Sequence, residues 1–172
     1  MAKHAIVIRE LVSQNPIDYR FAVSTAAIDN GRVVNLNGLK DHDLYNIAAT
    51  PTDEKNLWIV TGVELMYEEV PRKYLWDYEN AANQPFRCER VQKGLTLGIS
   101  EDGLTAAAAE TDLVVGASVV FTSGTDKLTV KATGENGDIV IGKVIEVHTH
   151  AGVKIASIEF SEPETVSAGV GG

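Results

Sequence analysis

The last third of the chain constrains the fold most. Gly116-Ala-Ser-Val-Val-Phe-Thr-Ser-Gly, Gly137-Asp-Ile-Val-Ile-Gly-Lys-Val-Ile-Glu-Val-His-Thr-His and Val153-Lys-Ile-Ala-Ser-Ile-Glu-Phe are β-branched runs cut by glycine-bearing turns. Such side chains crowd the preceding turn of a helix but pack well on a pleated surface. The readable strands are Leu95–Ile99, Ser118–Thr122, Leu128–Lys131, Ile139–Val147 and Val153–Phe160, with turns at Asp102-Gly103, Ser123-Gly124, Gly134–Gly137 and Ala151-Gly152. No amphipathic helix separates them, which argues against βαβ units and predicts a small antiparallel β-barrel or sandwich. Alanine-rich Thr105–Thr111 reads as a helical turn or a loop across the barrel end.

The preceding residues predict a β-rich module of short strands at Ala5–Glu10, Arg20–Thr25, Arg32–Leu36, Tyr45–Thr50 and Leu57–Thr61. Asp29-Asn30-Gly31 predicts a tight hairpin, because Asn-Gly supplies the positive φ angles such a turn demands. From Val63 to Arg90 the aromatics are too closely spaced for a clean strand, so this stretch reads as an irregular, aromatic-rich excursion with a turn of helix at Asp77–Ala82. All six arginines, both tryptophans and all five tyrosines lie at or before Arg90. Residues 1–92 carry 10 bases and 13 acids, and residues 93–172 carry 5 and 11. That change in surface chemistry sets the expected organisation: a mainly β fold with an N-terminal module over 1–92, a small β-barrel module over 93–160 and a flexible tail over 161–172. The tail mixes Glu, Pro, Ser and Gly and buries too little apolar area to offset its ordering entropy.

The formal charge of −9 and the scattered bases disfavour nucleic-acid binding, which needs clustered Lys and Arg. The single cysteine, Cys88, excludes an intramolecular disulfide and any Cys-x-x-Cys site. Met1-Ala-Lys-His-Ala-Ile-Val-Ile-Arg-Glu turns charged after a short apolar run, so it lacks a signal-peptide pattern, and synthesis and folding in a cytoplasm are expected. No apolar run approaches the roughly 20 residues a membrane helix needs.

Few side chains invite chemistry. His148 and His150 share a strand face and could chelate a metal, yet no recognisable spacing supplies a third ligand, and a solvated outer face accounts for the pair. Asp41-His42-Asp43 resembles a fragment of a charge relay in an exposed loop, with no nucleophile elbow elsewhere. Cys88 reads as a small buried residue, and Glu68-Glu69 and Asp53-Glu54 as solvated edges. The expectation is therefore no catalytic, metal-binding or cofactor-binding residues and no enzyme. Tyr67, Arg72, Tyr74, Trp76, Tyr78, Phe86, Arg87 and Arg90 form a candidate interface, since Trp, Tyr and Arg anchor protein contacts.

Lys93-Gly-Leu-Thr-Leu-Gly-Ile-Ser, Val115-Gly-Ala-Ser-Val-Val-Phe, Lys127-Leu-Thr-Val, Gly142-Lys-Val-Ile-Glu-Val and Val153-Lys-Ile-Ala-Ser-Ile-Glu-Phe occur in an order that resembles the head decoration, or cement, proteins of tailed bacteriophages. Ala26-Ala-Ile-Asp-Asn-Gly-Arg-Val-Val-Asn-Leu, Leu57-Trp-Ile-Val-Thr-Gly-Val-Glu-Leu-Met-Tyr and Gln84-Pro-Phe-Arg look like structural proteins encoded beside major capsid genes. The resemblance implies a virion protein on the capsid exterior. It would bind the major capsid protein of an expanded shell, commonly as a trimer, without direct nucleic-acid or membrane contact. It also implies a capsid contact near Lys3–Glu10. Two other readings stand beside it: a phage tail, baseplate or host-surface glycan-binding module, and a metal-dependent hydrolase built on His148 and His150.

Overall fold

The computed structural model describes residues 4–9, 18–62, 78–106, 113–150 and 152–167. These are mainly β, in two sheets. Strands β2 (Tyr19–Val23), β3 (Val33–Asp41), β4 (Leu44–Ile47), β5 (Leu57–Val60) and β6 (Pro85–Arg90) hydrogen-bond in a ring ordered β2-β4-β3-β5-β6. The other sheet takes β1 (Val7–Arg9), β7 (Thr96–Ser100), β8 (Leu104–Ala106), β9 (Ser118–Phe121), β10 (Leu128–Lys131), β11 (Ile139–His150) and β12 (Val153–Thr165), in the order β1-β7-β12-β11-β9-β10-β8. Pairing is antiparallel except for β2 with β4 and β8 with β10. The mainly β fold of barrel or sandwich type expected from the sequence is present, but the ring closes in the N-terminal strands, and the small barrel expected over 93–160 is instead an open sheet that also takes in β1.

Leu57-Trp-Ile-Val explains how the two sheets hold together. Alternate residues of a strand point to opposite faces, and here both faces are buried. Trp58 and Val60 point into the ring with Ala22, Val34, Phe86 and Cys88. Leu57 and Ile59 point outward and join Val33 in a cluster with Leu97, Ile99, Phe121, Ile141, Ile158 and Phe160 of the open sheet. Burying each such aliphatic or aromatic side chain is worth about 1.5–3 kcal/mol. The apolar core therefore continues across Lys93. Main-chain bonds reinforce it: Val33 donates to the Asp126 carbonyl at 2.8 Å, and Gly124 to the Pro51 carbonyl at 2.8 Å.

Several local expectations change. Asn30 and Gly31 do form a turn, with Gly31 at φ +79°, but β2 and β3 are not paired with each other, so there is no hairpin. Residues 85–90, expected to be irregular, form β6; its Phe86 and Cys88 line the ring while Pro85 and Arg90 are exposed. Thr105 lies in β8 rather than a helical turn; residues 107–111 are outside the described set. The tail expected from Ser161 starts as strand, because β12 continues to Thr165 against the first residues of β11. On β11 simple alternation fails. Register shifts between Val140 and Gly142 and between Val144 and Glu146 put Val144 in the core and leave Ile145 39% exposed, as bulges do when they re-aim side chains.

Candidate functional site

β2 is buried only in its second half. Its first residues pair with β6, Tyr19 and Arg20 extending past the start of β4, and Tyr19 and Phe21 are 47% and 45% exposed. They share a strand face, and their rings meet edge to face with centroids 5.9 Å apart, a geometry that matches the positive rim of one ring to the negative face of the other. Arg20, on the alternate face, places its guanidinium carbon 6.0 Å from the Trp58 ring centroid and pairs with Asp18 at 3.4 Å. Tyr45 of β4 and Asp43 of the β3–β4 turn complete a groove of about 550 Å³ lined by Tyr19, Arg20, Phe21, Asp43 and Tyr45. Exposed aromatics grouped on one face are a candidate contact surface.

The expected interface residues fare differently. Tyr67, Arg72, Tyr74 and Trp76 lie outside the described residues. Phe86 is 3% exposed inside the ring and so is core. Arg87 lies on the opposite face of β6 from Phe86 and is engaged within the chain, its Nε donating to the Thr61 carbonyl at 3.2 Å and its guanidinium 3.6 Å from the buried Glu89. The Tyr78 hydroxyl donates to Asn80 Oδ1 at 3.2 Å. Arg90 is exposed and pairs with Asp18 at 3.8 Å, the carboxylate that Arg20 also engages. Of the four described candidates only Arg90 is exposed, and it shares the Asp18 carboxylate with Arg20, which lines the groove. The aromatics on β2 were missed because Tyr19-Arg20-Phe21 reads equally as a strand whose aromatic face is buried. The signal was the alternation itself, with Asp18 and Arg20 marking an end of the strand that faces water.

The other motifs settle into structural places. Asp41-His42-Asp43 is the turn joining β3 to β4, with His42 at φ +39° and its side chain 93% exposed. Asp53 caps a single 3-10 turn over Glu54–Asn56, its carboxylate accepting from the Lys55 N–H at 3.0 Å. Burial pushes the Cys88 thiol up to about 12, and its Sγ donates to the Arg20 carbonyl at 3.4 Å. Such a thiol stays protonated at neutral pH. His148 and His150 pair with Ile155 and Val153 near the β11–β12 turn. Among the described residues no third ligand atom converges on them, whereas one atom from each of His4, Asp29 and Glu79 lies within 4.8 Å of the others.

Comparison with known protein families and with curated proteins finds no match to this chain.

Proposed function

We propose that this chain is a structural virion protein that binds the outer surface of an expanded phage capsid and stabilises it. The Tyr19–Phe21 ledge carries this reading: two exposed aromatics with Arg20 and Arg90 nearby, on a strand held from both edges by β4 and β6. Aromatic and Arg side chains dominate the energetics of protein contacts, and fixed on a sheet they lose little conformational freedom on docking. A subunit that binds only the mature lattice stabilises it by mass action. Assembly as a trimer on the major capsid protein would add avidity, because one docked protomer raises the effective concentration of the others.

The test is co-sedimentation of the purified chain with expanded capsids and with unexpanded procapsids. Selective pelleting with the expanded form is expected. Tyr19→Ala and Phe21→Ala are expected to weaken it by about 30-fold or more, the loss of about 2 kcal/mol that defines an interface hot spot. Pelleting with neither form would refute the proposal.

The groove favours a second reading. Tyr19, Phe21 and Tyr45 beside Arg20 and Asp43 combine stacking faces with hydrogen-bonding groups, which is what a sugar ring requires. Binding to purified cell-wall glycan, lost in Tyr45→Ala and absent with capsids, would support a tail or host-surface module instead.

A further inference from the structure

The structure also brings together three side chains that neither the groove nor the core requires. Ile28 and Asn80 form an isolated antiparallel bridge, donating to each other's carbonyls at 3.0 and 3.1 Å. The next residues along this pairing are Asp29 and Glu79, so the backbone holds two carboxylates opposite one another, an unfavourable arrangement without a cation between them. The bridge is braced by buried amides. Asn80 Nδ2 donates to the Ile28 carbonyl at 2.9 Å and to Asn30 Oδ1 at 3.0 Å, and Asn30 Oδ1 accepts from the Gly62 N–H at 2.8 Å. Gly62 is needed here, because a Cβ would lie 2.1 Å from Asn80 Oδ1. The third side chain comes from the segment that leads into β1 of the other sheet. His4 precedes Ala5 and Ile6, both 2% exposed, and Ile6 is tied to Ser100 by bonds of 2.9 Å in both directions. His4 Nδ1 then sits 2.5 Å from Asp29 Oδ1.

We propose that His4, Asp29 and Glu79 bind a divalent transition-metal ion, zinc fitting best, and so fasten the N-terminal segment to the end of the ring. One imidazole and two carboxylates suit zinc and its first-row neighbours better than calcium or magnesium, which favour oxygen-only sets. Tetrahedral zinc with bonds of about 2.0–2.1 Å separates its ligand atoms by about 3.3 Å. Because the three atoms already lie within 4.8 Å of one another, side-chain rotations suffice. His4 would draw back from Asp29 to admit the ion. Arg32 does not close the site: it approaches Asp29 through Oδ2 at 3.4 Å, the oxygen His4 does not use, and is itself shared with Asp126 at 3.2 Å. Glu79 is exposed, so a remaining coordination position can be taken by water.

This inference is independent of the capsid reading and is tested without capsids. Tag-free chain stripped with chelator is titrated with zinc by calorimetry, with cobalt as a spectroscopic stand-in. One equivalent is expected, with visible cobalt bands of four-coordinate intensity and a thermal midpoint that rises with zinc and falls back on chelation. Loss of even an outer-shell partner weakens metal sites 10- to 100-fold. Glu79→Gln, at an exposed position that leaves the fold intact, and His4→Ala should therefore each weaken binding by at least about tenfold. The metal-free thermal midpoint of Glu79→Gln, equal to or slightly above that of the parent chain because one of the two facing carboxylates is gone, separates lost ligation from misfolding. Failure to bind at millimolar zinc would overturn the proposal. So would binding that survives both variants but is lost in a His148→Ala, His150→Ala double variant.

Discussion

Asn35 offers the sharpest test of what holds the ring together. It lies on β3 and is 5% exposed. Its side chain uses four hydrogen bonds to fix the loop before β5. Nδ2 donates to the Asp53 and Asn56 carbonyls at 2.8 and 2.7 Å, and Oδ1 accepts from the Thr52 and Asp53 N–H groups at 2.7 and 2.9 Å. At a net worth of about 1 kcal/mol each, Asn35→Ala removes about 4 kcal/mol. Thr52 and Asp53 are exposed, so water can satisfy part of what is freed, and a loss of about 3 kcal/mol is expected. That is a large share of the 5–15 kcal/mol a domain typically has. Urea unfolding should show a lower midpoint at unchanged slope, and the melting temperature should fall by about 6–12 °C. Asn35→Asp adds a pH signature. It keeps the acceptor but sets a carboxylate oxygen against the Asp53 and Asn56 carbonyls, so the folded state favours the protonated acid and its pKa is raised. The sign follows: this variant should lose stability as pH rises above the unfolded value of about 3.9, and recover it on acidification. A loss below about 1 kcal/mol for Asn35→Ala would mean that these bonds do not hold the loop.

Three other outcomes are expected. Gly142→Ala should destabilise by about 2 kcal/mol, because its Cβ would lie 2.7 Å from the Glu159 carbonyl oxygen and 3.2 Å from Phe160 Cα, both backbone atoms of β12; an unchanged melting curve would contradict this packing. Cys88, with its thiol pushed up to about 12 by burial, should resist alkylation in the native protein at mildly alkaline pH and react on unfolding, whereas fast native labelling would show that the ring opens. Asp138 is held below the usual carboxylate range, first by its hydrogen bond to Lys131 and then by the Glu135 N–H. Its stabilising contribution is therefore present above the unfolded pKa and lost as pH falls through the folded one. Carbon-13 NMR should find Asp138 titrating low in the parent chain and closer to normal in Lys131→Gln, and an identical midpoint in both would remove Lys131 as the cause.

The sequence made strands legible where apolar pattern and turn residues agree, as in Leu57-Trp-Ile-Val and Leu128-Thr-Val-Lys. It did not reveal which strands would meet, because pairing depends on partners far along the chain. Asn30-Gly31 has the composition of a hairpin, yet Asn30 is 1% exposed and spends its amide on Gly62 and Asn80. β6 was hidden because Pro85-Phe-Arg-Cys-Glu-Arg carries charge on one face that Thr61 and its neighbours cover. Ser161–Thr165 looked like tail on composition, but pairing with the start of β11 supplies the bonds that order it. For the candidate sites, period two placed Tyr19 and Phe21 together without saying that their face is open. The meeting of His4, Asp29 and Glu79 across 25 and 50 residues of chain left no local trace.

β5 has a mechanical consequence. Its residues alternate between the interior of the ring and the interface with the open sheet, so extracting the strand strips apolar contacts from both sides at once. A tug on the Tyr19–Phe21 ledge passes through β6, which pairs with both β2 and β5, into that doubly anchored strand. Under load the molecule should rupture in one abrupt event, with no intermediate plateau in its force–extension trace.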